Sequence, residues 1–150
     1  MFRFRLEKVL RHRERREDDE ARAHRRALEA LRRATERRRG QERLITALAR
    51  EGEASRRAGG DVRQWGLLAS FLAVQEDKRR ALLRRECEAA AAAAVQRERL
   101  LRAHRDRQVL ERLRERQHEA WAEEERRREL RAMDEVAARG AGANAQPDLP

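Results

Sequence analysis

Apolar residues recur three and four positions apart from about residue 3 to about residue 139, and the pattern is strongly interrupted only once, at Gly59-Gly60-Asp61. That spacing keeps them on one face of an α-helix. The first arm carries Phe4, Leu6, Val9, Leu10, Ala21, Ala27, Leu28, Leu31, Ala34, Leu44, Ile45 and Leu48. The second carries Trp65, Leu67, Leu68, Phe71, Leu72, Val74, Leu82, Leu83, Cys87, the alanines 89–94, Val95, Leu100, Leu101, Leu110, Leu113, Trp121, Leu130, Met133 and Val136. No proline precedes Pro147, so neither arm holds the residue that costs a helix interior about 3 kcal/mol. The pattern predicts an all-α fold: a long antiparallel two-helix coiled-coil hairpin with a C-terminal helix overhang. Its helices run over about 3–57 and about 62–139, joined by a turn at about 58–61, and residues 1–139 form one hairpin. The Gly, Ala and Pro rich segment 140–150 reads as a disordered tail.

The turn is specified chemically on both sides. Gly59 or Gly60 can take the left-handed conformation that closes a helix, and Asp61 can accept the first free amides of the next. Gln64, three residues on, completes a capping-box pattern. Gly40 and Gly52 each lower local helix stability by about 1 kcal/mol relative to Ala. The apolar stripe is weak between Leu10 and Ala27, where Arg13, Glu17, Glu20 and His24 fall at core-like spacing, so a marginal, dynamic hairpin is expected.

Folding the chain about residue 58 sets facing residues at numbers that add to about 116. Leu48 then meets Leu68, Leu44 and Ile45 meet Leu72 and Phe71, and the alanines 89–94 lie level with Ala21, Ala23 and Ala27. Everything after about residue 112 is left without a partner in the first arm. This overhang of some 27 residues, about 40 Å at 1.5 Å per residue, still carries Leu113, Trp121, Leu130, Met133 and Val136. An apolar stripe with no internal partner is a candidate binding surface.

Charged residues make up 44% of the 150 positions and aromatics 3%, too polar a composition for an ordinary globular core. The choice is therefore between disorder and a coiled coil, and the abundant Ala, Leu, Arg and Glu favour helix. The net charge of +10 permits contact with nucleic acid, anionic lipid or an acidic protein surface. Acids are interspersed along most of the chain; the first sixteen residues are the exception, with seven Arg or Lys against Glu7 and Glu14. Cys87 stands alone, which rules out an intrachain disulfide. There is no apolar leader at the start, and the longest apolar run, Ala89 to Val95, is far too short for a bilayer, so a cytosolic location is expected for the free chain.

No enzyme motif is present, the four histidines lack metal-ligand spacing, and no cofactor or metal site is expected. Function must then lie on two surfaces. At the hairpin tip, Arg37, Gln41, Leu44 and Leu48 repeat at 4, 3, 4 spacing, and Phe71, Gln75, Lys78 and Leu82 do the same on the second arm, close to Trp65. At the opposite end lie the basic start and the overhang.

Those two ends resemble the flagellar export protein FliJ family, the small coiled-coil component of the type III export ATPase complex. The opening FRFRLEKVLRHRERRED resembles the family's start, and ERLLRAHRDRQVLERLRERQHEAWAEEERRRELRAMDEVAAR its C-terminal half. Arg107, Leu110, Leu113 and Arg116, with Met133-Asp134-Glu135 near the helix end, carry the likeness most closely. The injectisome counterparts are similar in shape.

The resemblance implies a non-enzymatic cytoplasmic stalk at the flagellar basal body, peripherally associated with the inner membrane through its partners. Those implied partners are the hexameric export ATPase, the cytoplasmic domain of the membrane export gate, and export chaperones. Gate contacts would fall to Arg37, Gln41, Leu44, Leu48, Trp65, Phe71, Gln75 and Lys78. ATPase contacts would fall to Phe4, Arg5, Leu6, Arg11, Leu113, Trp121, Leu130 and Met133. The chain departs from the family in having no tyrosine, with leucines where aromatics often stand near the tip. Two other readings stay open beside this one: a basic coiled-coil nucleic-acid binder, and a generic coiled-coil scaffold. Nucleic acid is not expected as a partner, because neither a basic zipper helix nor aromatic stacking residues are present.

Overall fold

The computed structural model describes residues 1–143, with the side chains of 140–143 left aside. It contains two helices, α1 (Glu7–Arg57) and α2 (Val62–Ala143), packed against each other as a helical hairpin, with no strand among the described residues. Helix α1 begins one turn later than the periodicity predicts. Residues 1–6 stay outside it because Phe2 and Phe4 are drawn onto α2: Phe4 is buried at 6% exposure and its carbonyl accepts the Glu7 amide at 3.3 Å. Helix α2 continues past Arg139 to Ala143. Of the expected disordered tail, residues 140–143 are therefore helical, and 144–150 lie outside the described residues.

The turn forms as its chemistry dictates. Gly59 takes a φ of +80°, and the Gly60 amide donates back to the Ser55 carbonyl at 3.0 Å. Asp61 Oδ1 accepts the Arg63 amide at 3.1 Å, capping α2 from its side chain. Among the described residues the Gln64 side chain returns no bond, so the cap is one-sided and not a full capping box.

Several facing pairs sit about one helical turn later than expected. Glu17 faces His104, Thr35 faces Glu86, and Gly52 faces Leu68, with numbers that add to about 120, whereas Gln41 and Gln75 meet at the expected 116. The apolar core is thin: only Phe4, Leu10, Ala93 and Ala103 are buried apolar residues among those described. Two helices cover only a narrow strip of each other, so much of each apolar stripe faces outward.

The chain divides into two compact units. One comprises residues 1–15 and α2 from Arg105 onward; here Arg13 Nη1 donates to Asp106 Oδ2 at 3.0 Å. The other comprises residues 16–104, with a polar seam. Its Gln41 Nε2 donates to the Oε1 of buried Gln75 at 2.9 Å and to the Gln75 carbonyl at 3.2 Å. Next along this seam, Arg38 pairs with Glu86 and, at 2.6 Å, with Glu42, while the Thr35 hydroxyl donates to Glu86 at 2.8 Å. The bonds from Arg38 and Thr35 hold the Glu86 carboxyl below the usual carboxylate range. Partly buried amide and ion pairs of this kind favour one pairing of the arms, because a slip leaves each partner unsatisfied.

Two glycines inside α1 have opposite roles. A Cβ on Gly40 would meet nothing nearer than an Arg43 nitrogen at 3.9 Å, whereas one on buried Gly52 would run into the Leu68 side chain. Gly40→Ala should therefore raise stability by roughly 0.5–1 kcal/mol. Gly52→Ala should lower it by about 1 kcal/mol or more, because Leu68 must shift. Urea denaturation of the two variants beside the parent checks the sign of each change.

Candidate partner-binding surfaces

Near the turn, in the unit of residues 16–104, the expected tip residues divide between seam and surface. Gln75 is only 3% exposed and its amide is used by Gln41, so both glutamines fasten the hairpin instead of facing a partner. Leu48, Leu68 and Leu72 are half-buried, consistent with a seam position. Leu44 and Phe71, expected to pack across the seam, are 44% and 48% exposed. Arg37 and Lys78 are exposed. Trp65 is half-buried, its Nε1 sealed without a hydrogen-bond partner beneath the turn, where a Cβ on Gly60 would sit 3.3 Å from it. Trp65 therefore braces the turn more than it decorates the surface.

Sequence reasoning assigned Leu67 and Val74 to the stripe without marking them as surface. They are 73% and 52% exposed and fall four before and three after Phe71. Together these three make a continuous apolar ridge on one helix face, ending at Lys78. The 4, 3, 4 spacing through Lys78 was the signal in the sequence, but periodicity does not say which of two adjacent stripes turns inward.

In the other unit, the first six residues lie along α2. The Phe2 ring meets His118 edge-on at 5.1 Å and Trp121 at 6.0 Å, and His118 and Trp121 are themselves 6.0 Å apart. Such aromatic clusters contribute beyond their buried area. Phe4 is buried, and Leu6, Leu113 and Trp121 are half-buried, so four of the residues expected to meet the ATPase hold this end together. Arg5 is exposed, and Arg11 is exposed and pairs with Glu7 at 3.3 Å. Phe2 and His118 were missed; the Phe-Arg-Phe alternation, which sets both rings on one side of an extended segment, was their only trace.

Pairing of the two arms reaches Trp121, about two turns farther than expected, because a non-helical lead covers more length per residue than a helix. Just past it Ala122, Glu123 and Glu125 are still half-buried, and from Arg126 to Arg139 α2 is exposed. Glu123, Glu124 and Glu125 pair along the helix with Arg126, Arg127 and Arg128. Leu130, Met133 and Val136 are 60%, 68% and 69% exposed, forming with Ala132 and Ala137 an apolar strip. No described helix is long and apolar enough to cross a membrane.

The statistical model of the family described as flagellar FliJ protein matches residues 1–146 of the chain. No curated protein and no solved structure matches it significantly.

Proposed function

The chain belongs to the flagellar FliJ protein family and so is a coiled-coil protein of flagellar export; from that premise we propose that it is a non-enzymatic stalk that binds and promotes the hexameric export ATPase. The observation that carries this reading is the overhang, whose Leu130, Met133 and Val136 remain 60–69% exposed on an otherwise charged helix. An amphipathic helix with an uncovered apolar face fits a groove or the mouth of a ring. The surrounding Glu and Arg side chains are long and adaptable, which suits contact with six similar but non-identical surfaces. Working beside the ATPase, the protein acts in the cytoplasm and reaches the inner membrane through its partners.

The tip ridge of Leu67, Phe71 and Val74, with Leu44 on α1, supports a second contact, to the cytoplasmic domain of the export gate. Export chaperones form the third group of partners. The primary test is direct: added to the cognate ATPase, the full chain should raise its rate of phosphate release and copurify with it. A full-length chain that does neither overturns the reading.

The tip has its own test. Leu67→Glu with Phe71→Glu should weaken binding of the gate domain by about a hundredfold, as loss of two central apolar contacts does. Helicity and ATPase stimulation should be unchanged, since both side chains already stand in solvent. Unaltered gate binding in that variant, read by calorimetry, removes the ridge from the interface.

A further inference from the structure

The lead and the first turns of α1 enclose a groove of about 900 Å³, lined by Phe2, Phe4 and the cations Arg3, Arg5, Lys8, Arg11 and Arg114. Glu7 is the sole acid on its wall, and it is already engaged, by Arg11 at 3.3 Å and by Arg114 at 3.9 Å. Arg3, Arg5 and Lys8 are exposed and have no acidic partner among the described residues. The lead that presents Arg3 and Arg5 is not a loose end: Phe2 is clamped on His118 and Trp121, and Phe4 is buried. The cations are thereby held around a concavity instead of being spread over a flank, and an opposite charge placed there gains from several of them together.

The surroundings decide what kind of anion fits. Along α1 the positive run meets Glu14 and then Glu17-Asp18-Asp19-Glu20, and on α2 the groove borders Glu111 and Glu115. A patch fenced by acids on both helices is too short to follow the phosphates of a duplex. The lead's two aromatic rings are turned onto α2, and its one fully exposed apolar side chain, Met1, is too small an apolar face to insert into a lipid surface. The cations are solvent-facing and flexible, unlike the fixed donors that hold a small phosphate ligand. We infer that this groove binds an extended acidic peptide segment of a protein partner, its carboxylates against Arg3, Arg5 and Lys8 and an apolar side chain beside Phe2. The site lies at the end to which the ATPase reading assigns a partner, yet it is tested on the isolated chain, so either idea can fail without the other.

A fluorescein-labelled peptide of glutamates and aspartates around one leucine is titrated with the full chain and followed by anisotropy. Saturable binding is expected that weakens as salt rises from about 50 to 200 mM. Arg3→Glu with Arg5→Glu and Lys8→Glu should weaken it at least about tenfold, and the corresponding Gln substitutions, which leave the lead's packing least disturbed, about fivefold. Reversal of Arg25 and Arg26, exposed cations elsewhere on α1, should change it less than about twofold. Circular dichroism confirms that each variant keeps its helix content, and the Gln variant decides the matter should the Glu variant lose helix. The inference is overturned by absence of binding, by equal losses from the Arg25 and Arg26 reversal, or by a Gln variant that binds as well as the parent. It is overturned equally if duplex DNA or anionic phospholipid vesicles bind through the same three residues more tightly than the peptide.

Discussion

Removal of residues 123–150 is expected to return the export ATPase to its unstimulated rate while leaving the rest of the chain folded. The cut falls just beyond Trp121, so the Phe2 clamp is retained. What is lost is a helix bonded only to itself, through pairs such as Arg127 with Glu123 at 3.0 Å and Arg128 with Glu124 at 2.6 Å. Exposed pairs of this kind add a few tenths of a kcal/mol each, so their loss hardly changes stability. Leu130, Met133 and Val136 are another matter. Buried in a partner, each would contribute on the order of 1.5 kcal/mol or more, and together they would account for most of a micromolar contact. Phosphate release by the ATPase with full and truncated chains reads the effect. Full stimulation by the truncated chain shows that the overhang is not the working surface.

A second large effect is expected inside the same unit. Leu10 is 1% exposed, the most completely buried large side chain described, and Phe4 is the one other buried apolar residue described in its unit. Leu10→Ala should cost about 3 kcal/mol, the range for a leucine truncated in a packed site. Little surrounds it that could collapse into the gap, and a core this thin has little reserve. Val9, its neighbour in sequence, is 42% exposed, and Val9→Ala should cost well under 1 kcal/mol. Hydrogen exchange distinguishes the two: Leu10→Ala should release the amides of about residues 7–15 while those near Gln41 and Gln75 keep their protection. Equal loss at both places would mean that the chain opens as one cooperative body.

The elements that were legible in the sequence are those that local chemistry decides. One of Gly59 and Gly60 had to be left-handed and Asp61 had to cap; Gly59 takes the first role and Asp61 the second. Two helices followed from periodicity and from the lack of proline before Pro147. The register was not legible, because alanines and arginines repeat so often along both arms that a shift of one turn offers nearly the same apolar matches. What separates the alternatives is a small set of non-local polar pairs, Gln41 with Gln75 and Arg38 with Glu86 above all. The binding surfaces were half legible because periodicity does not say which of two adjacent stripes turns inward: Phe71 and Leu44 stand largely outside while Gln75 is buried. The lead was hidden altogether: Phe2, one residue from the chain's start, is held by rings more than a hundred positions away, and no local rule reaches that far.

The Phe2 clamp also makes the protein optically convenient. The chain has two tryptophans and no tyrosine, and the tryptophans fall in different units, Trp65 under the turn and Trp121 under the lead. Ultraviolet emission therefore arises from two addressable places. With Trp65 replaced by phenylalanine, the remaining signal belongs to Trp121, and its wavelength tracks whether Phe2 is docked or has let water in. With Trp121 replaced instead, the signal belongs to the turn. Events in the two units of one small chain can thus be timed separately in the same cuvette, with no dye attached.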